Sequence, residues 1–298
     1  MSLPPATTRT PKTIIGPDIK PVDVNRAAPD DQRLWSVTTI IGVLDKPALV
    51  YWAANETAAA AVDDHEIWIP MARSRGRDEA KKWLSGARFR PPAGQTLSSA
   101  DLGTEAHRCL EQAVITGAWP DDIHPEAQPF CEQLDRWLNR FQPEWSASEL
   151  TVFSPTYGYA GTCDGMLTID GVRCIVDLKT SRKARDTRGN PTTPYPEQVA
   201  LQLAAYRHAE LAAVWRARRH EVQRRRYYLL NDDEIASAVP VPEVDQGLVL
   251  HVTPELASAW PIECGPEVHK AFLHTIECAR WALQTSQWVM GDPLKKET

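Results

Sequence analysis

Paired cysteines are missing from this sequence: six cysteines, at positions 109, 131, 163, 174, 264 and 278, are scattered through 298 residues without a Cys-x-x-Cys spacing. A chain of this length needs no disulfide staples, so the thiols are expected to be reduced and mostly buried. No apolar run approaches the roughly 20 residues that cross a bilayer. Nor does one follow the early positive charges, as it would in a secretory leader. A soluble cytoplasmic protein with no membrane partner is expected. A Gly-xxxx-Gly-Lys-Ser/Thr phosphate loop is also absent, which excludes a helicase motor of that type. Positive charge is not in excess: 33 Lys and Arg stand against 39 Asp and Glu, for a net charge of −6. A uniformly basic surface is thereby excluded, whereas a local basic patch is not.

What is present is the composition of an ordinary globular chain, 43% hydrophobic and 24% charged. Residues 1–34 are rich in Pro, Thr and Asp with little periodicity, and read as an extended or disordered arm. Residues 35–298 read as one domain. Its first part, 35–145, is mostly helical, with Pro47 opening one helix, Met71–Leu84 forming another, Ser98 or Ser99 capping a third, and a fourth from Pro125 to Phe141. From 146 to 255 short β-like runs alternate with a long helix from Pro196 to His220. Residues 256–298 hold a closing amphipathic helix over Val268–Trp288. The pattern is α/β or α+β.

Asp170-Gly171 separates two alternating runs, a strong signal for a two-residue type I′ turn. That turn sets Ile169 opposite Val172, Leu167 opposite Cys174, Gly165 opposite Val176 and Cys163 opposite Leu178, an apolar face for the core. The other face pairs Thr168 with Arg173, Met166 with Ile175, and Asp164 with Asp177. Two carboxylates directly across a ladder repel unless a cation lies between them or one is protonated. Lys179, two residues beyond Asp177, points to the same side. Two acids and an amine are a set suited to metal-assisted phosphodiester hydrolysis, and equally to a solvent-facing strand bearing an Asp–Lys pair.

Order and spacing add a resemblance. Gly161-Thr162-Cys163-Asp164, then Ile175-Val176-Asp177-Leu178-Lys179-Thr180, then Gln202-Leu203-Ala204-Ala205-Tyr206 resemble the PD-(D/E)xK nuclease superfamily, in particular its RecB-type exonuclease branch. Gly103-Thr104-Glu105-Ala106-His107 is similar to that branch's upstream helical histidine motif, and Val37-Thr38-Thr39-Ile40 to its opening segment. The third motif has Asp177 where glutamate is commoner. The resemblance covers about residues 36–210. It implies an α/β fold with a mixed central β-sheet flanked by helices, a restriction-endonuclease-like core. It also implies Mg²⁺ or Mn²⁺ held by Asp164, Asp177, His107, Glu149 and the Leu178 position, and catalytic roles for Asp164, Asp177, Lys179, Gln202 and Tyr206. The expected activity is a DNA exonuclease of recombination, repair or phage replication acting on linear ends, with a recombination or single-strand-binding protein as a candidate partner. An endonuclease on the same fold and a non-catalytic DNA-binding subunit are the competing readings.

Gln198, Gln202 and Tyr206 recur every four residues and form one polar stripe. Arg182, Lys183, Arg185 and Arg188 follow the catalytic strand and are expected on the DNA backbone, with a second cluster between Arg216 and Arg226 near the end of the long helix. Most of the eleven tryptophans are expected in the core. Only Cys264 and Cys278 follow the long helix, too few for the clustered thiolates of an iron–sulfur centre, and none is expected.

Overall fold

The computed structural model describes residues 33–92, 94–185, 188–190, 192–194, 196–213, 219–222, 225–229 and 236–289. The arm expected at 1–34 lies outside these as far as residue 32, and its last two residues belong to a strand. That strand, β1 (Arg33–Ser36), runs directly into α1 (Val37–Ile41), where Ser36 Oγ accepts the Thr39 N–H at 3.1 Å. Four further helices follow: α2 (Pro47–Asp63), α3 (His65–Arg75), α4 (Arg77–Ser85) and α5 (Ser99–Thr116). The single helix expected over Met71–Leu84 is two, broken at Gly76 where φ is 96°. Ser98 caps α5 by accepting the Asp101 N–H, and α6 is Gln128–Phe141.

The sheet then assembles from β2 (Glu144–Ser154), β3 (Tyr159–Ile169) and β4 (Val172–Thr180). Asp170 and Gly171 both have positive φ, 49° and 81°, as a type I′ turn demands, and the β3–β4 register is the one that turn dictates from Ile169–Val172 to Gly165–Val176. After α7 (Pro196–Arg207) come β5 (Leu211–Ala212), β6 (Arg219–Val222), β7 (Arg225–Leu229), β8 (Val239–Pro240), β9 (Gln246–Val252), β10 (Ala257–Ile262) and α8 (Pro266–Leu283).

Among the described residues ten strands form one mixed sheet, ordered β10-β9-β4-β3-β1-β7-β6, with β2 on the other edge of β3 and β5 and β8 beyond it. The β1–β3 and β4–β9 pairs are parallel, and the rest antiparallel. The fold is thus α/β, a mixed sheet flanked by helices. On one face Ile40, Val199, Leu203, Phe272 and Ile276 of α1, α7 and α8 pack on Met166, Ile175 and Val249. On the other, Leu102, Leu110, Phe130 and Leu134 of α5 and α6 pack on Leu167, Val176, Leu178 and Leu250.

Further expectations are corrected. The helix begun at Pro196 ends at Arg207, because the Ala/Leu run that follows is a buried strand: Leu211 and Ala212 pair with Phe153 and Val152. A short apolar run carries no period that tells helix from strand. Likewise Ala257–Ile262 is an edge strand, not part of a closing helical segment. Neither face of the hairpin is wet near the site, since Met166, Ile175 and Asp177 are 2%, 0% and 2% exposed, and Cys163 packs with Met166 instead of with Leu178. Helices cover both faces, which makes central strands apolar throughout. The tryptophans also depart from expectation: of the nine whose side chains are described, only Trp137 is buried. Of the others, Trp119 donates its indole N–H to Asp135 at 2.9 Å and Trp68 to the Ala61 carbonyl at 3.1 Å. Five of the six cysteines are buried and all are free thiols. Among the described residues no helix is long and apolar enough to cross a membrane.

The decisive feature is a fork. Along one edge of β3, β4 pairs only with residues 165–169 and β1 only with residues 159–160. Among the described residues, β3 residues 161–164 between them lack a strand neighbour on that side, while β4 continues from Asp177 to Thr180 against β9 alone. A cleft opens where the two strands diverge.

Candidate active site

This cleft is a cavity of about 550 Å³, and its wall includes Val37 and Thr38 of α1, His107 and Glu111 of α5, Glu149 of β2, Gly161 and Asp164 of β3, Asp177 to Thr180 of β4, and Gln202 and Tyr206 of α7. Helices from both faces of the sheet therefore reach one site. Gly161 is needed there because a Cβ in its place would lie 2.3 Å from the Tyr206 ring. The first glycine of the Gly161–Asp164 motif is thus the seat of an aromatic ring of the Gln202–Tyr206 motif.

On one side of the cavity, His107, Glu149 and Asp164 each direct a donor atom to a common point, all within 4.8 Å of one another. His107 Nδ1 is 3.3 Å from Asp164 Oδ1, and its Nε2 is 3.1 Å from the Leu178 carbonyl oxygen. The second Asp164 oxygen accepts the Leu178 N–H at 2.5 Å, so a carboxylate takes the place of the missing ladder partner. Glu149 has φ of 49°, a left-handed backbone costing a non-glycine residue roughly 1 kcal/mol, in the midst of this group.

On the other side, Asp177 forms an ion pair with Lys179 through Oδ2 and accepts the Gln202 amide at Oδ1, 2.8 Å away. Gln202 also donates to the Tyr206 hydroxyl at 3.2 Å. The two acids expected to share one ion thus have separate partners. Asp164 belongs to the three-donor group, whereas Asp177 anchors Lys179. Leu178 contributes both its backbone N–H and its carbonyl to the first of these groups.

The electrostatics follow from this division. Burial opposes charge on His107, but the Asp164 and Glu149 carboxylates outweigh it and raise the imidazole to about 9. Burial would raise Asp164; the His107 and Lys179 charges and the Leu178 N–H hold it below the usual carboxylate range. Burial and the nearby Asp164 push Asp177 up in spite of Lys179. Lys179, although buried at its base, is raised by Asp177 and Asp164 and stays an ammonium at neutral pH.

The basic loop divides differently from expectation. Arg182 is committed inside the fold, donating to Glu126 at 3.3 Å and to the Leu97 carbonyl at 2.6 Å, with 18% of its side chain exposed. Lys183, Arg185 and Arg188 are exposed but do not line the cavity, and Arg185 donates to the Gly189 carbonyl. Gln198 is not on the cavity wall either. In the second cluster Arg219, Arg225 and Arg226 lie on β6 and β7, not at a helix end, and Arg216, Arg218 and Arg224 fall outside the described residues. Cavity residues that sequence reasoning passed over include Arg108, Glu111, Thr162 and Thr180. Of these, Thr162 and Thr180 stand inside the quoted motifs without a role of their own, and Glu111 lies one helical turn after His107.

Comparison with known proteins adds little at the level of sequence: no protein family and no curated protein matches the chain. Among solved structures, the one titled "Crystal structure of SSO0001" is similar at 16% identity and a TM-score of 0.28 over 69% of this chain and 84% of that chain. A likeness this slight carries no functional argument.

Proposed function

We propose that this chain is a divalent-metal-dependent deoxyribonuclease, an exonuclease acting on linear DNA ends. The observation that carries the reading is the convergence of His107, Glu149 and Asp164 donors within 4.8 Å of one another, in the same cavity as a Lys179 held on Asp177. One imidazole and two carboxylates suit Mg²⁺ or Mn²⁺, with the nitrogen favouring Mn²⁺. A cation held there supplies positive charge against a scissile phosphate.

The chain's own residues supply the rest. Lys179, an ammonium at neutral pH, cannot act as a base; it donates to a phosphate oxygen and stabilises the charge that develops there. Asp177 fixes the ammonium, Gln202 fixes Asp177, and Tyr206 fixes Gln202, each by a hydrogen bond or ion pair given above. Such a chain of supports keeps a catalytic group oriented before substrate arrives. The order of the motifs along the chain supports the RecB-type branch and hence the choice of exonuclease.

The test is incubation with end-labelled linear and closed circular DNA, with Mg²⁺, with Mn²⁺ and with chelator. Metal-dependent loss of linear but not circular DNA is expected. Cleavage of the circle would replace the exonuclease by an endonuclease, and inertness in all conditions would refute the nuclease reading.

A further inference from the structure

Residues 73–90, on α3, α4 and the short 3-10 turn that follows, hold seven Lys or Arg against two acids, a net charge of +5 in a chain that sums to −6, so the remainder carries −11. Arg73, Arg75, Arg77, Lys82 and Arg88 are exposed, and among the described residues none has a carboxylate within 4.0 Å; Lys81 alone of the exposed cations pairs, with Asp78. A solvated helix face ordinarily mixes signs, whereas this one leaves its cations uncompensated. Apolar rings stand among them. Phe89 is 62% exposed with the Arg88 guanidinium 4.5 Å over its ring, and Arg90 lies 3.7 Å over Trp83. α3 buries no residue at all. Both connections to this helical layer leave from the cavity wall, through α1 with Thr38 at one root and through α5 with Ser99 at the other.

We infer that residues 73–90 form a binding surface for single-stranded nucleic acid, which holds the strand beyond the phosphate placed in the cavity. The occupant is argued from charge complementarity and from the exposed ring. Unpaired cations on an acidic protein match a polyanion, and a solvent-facing aromatic beside arginine matches a base freed from its stack. Duplex DNA satisfies the charge but not the ring. This inference rests on the nuclease reading and names where its substrate runs.

The experiment measures the affinity of a fluorescent single-stranded oligonucleotide and its duplex in chelator, across salt concentrations. Wild type is compared with the triple variant Arg73→Gln, Arg75→Gln, Arg77→Gln and, separately, Phe89→Leu. All four residues are exposed, so the fold is retained. Cleavage by wild type in Mn²⁺ is scored in parallel. The arginine variant is expected to bind the single strand at least about tenfold more weakly, with a log–log salt slope reduced by about 2. Phe89→Leu is expected to weaken single-strand binding roughly five- to hundredfold and leave the duplex unchanged. Wild-type-like binding by the arginine variant, equal loss for duplex and single strand in Phe89→Leu, or competition by polyglutamate as strong as by DNA would each overturn the inference. Cleavage by wild type alongside such a result leaves the nuclease reading standing. Arginine-dependent strand binding without cleavage in any metal keeps this surface and discards that reading.

Discussion

Raising the pH should tighten divalent-metal binding, and His107 is the reason. Without metal the imidazole lies against both Asp164 and the Leu178 carbonyl, and the Asp164 and Glu149 carboxylates outweigh burial to hold its proton up to about 9. A cation can use a ring nitrogen only after that proton leaves. At pH 7, two units below about 9, the competition weakens binding by up to about 100-fold, or about 2.7 kcal/mol. With 31% of the side chain open to water, screening reduces this, so a ten- to hundredfold rise between pH 7 and 9 is expected. The fold's own stability runs the other way. The folded pKa lies above the ordinary value near 6.5, so the His107–Asp164 pair stabilises fully below about pH 6.5 and is lost as pH rises through about 9. Calorimetric titration with Ca²⁺, in two buffers of different ionisation enthalpy, reads affinity and proton release together. Close to one proton released at pH 7, abolished by His107→Gln, is the expected result. Equal affinity at pH 7 and 9, or an unchanged slope in His107→Gln, would refute the reasoning.

Other residues are expected to separate chemistry from stability. Lys179→Met and Asp177→Asn should each lower cleavage by roughly a hundred- to thousandfold, read from initial rates on linear DNA, while Ca²⁺ affinity in Lys179→Met stays within a few fold. Gly161→Ala should destabilise the fold by about 1–3 kcal/mol through its clash with Tyr206, and a second change, Tyr206→Ala, should relieve part of that loss in urea unfolding. Arg182→Ala should reduce stability by about 1–3 kcal/mol because it frees Glu126 and the Leu97 carbonyl, yet leave the salt dependence of DNA binding unchanged. A flattened salt slope in that variant would return Arg182 to the DNA path.

How much of this could be read from the chain depends on distance along it. The β3–β4 register was legible because two residues, Asp170 and Gly171, dictate it locally. Ser98 announced the start of α5 for the same reason. Gln202 and Tyr206 were legible as a stripe because helical spacing puts them on one side. That the ladder stops at Gly165–Val176, short of an Asp164–Asp177 pair, was not, since the start of β3 on that edge pairs with β1, more than 120 residues earlier in the chain. Nor could sequence show that Arg182 reaches back to Leu97 and Glu126, or that the apolar run after Arg207 finds a strand edge on β2. Long-range pairing made these choices, and no local propensity encodes them.

The fork in the sheet bears on when the site comes into being during folding. Its three candidate metal donors arrive from α5, β2 and β3, and the contact of His107 with the Leu178 carbonyl closes 71 residues of chain. Contacts so distant form late, after the loop-closure entropy has been overcome. No fragment short of α5 and the β2–β3 hairpin holds the three donors together. On the proposed reading, a divalent cation would therefore find its site only late in folding. It would act on the finished molecule as a latch, leaving the folding rate nearly untouched and slowing the rate at which the native state comes apart.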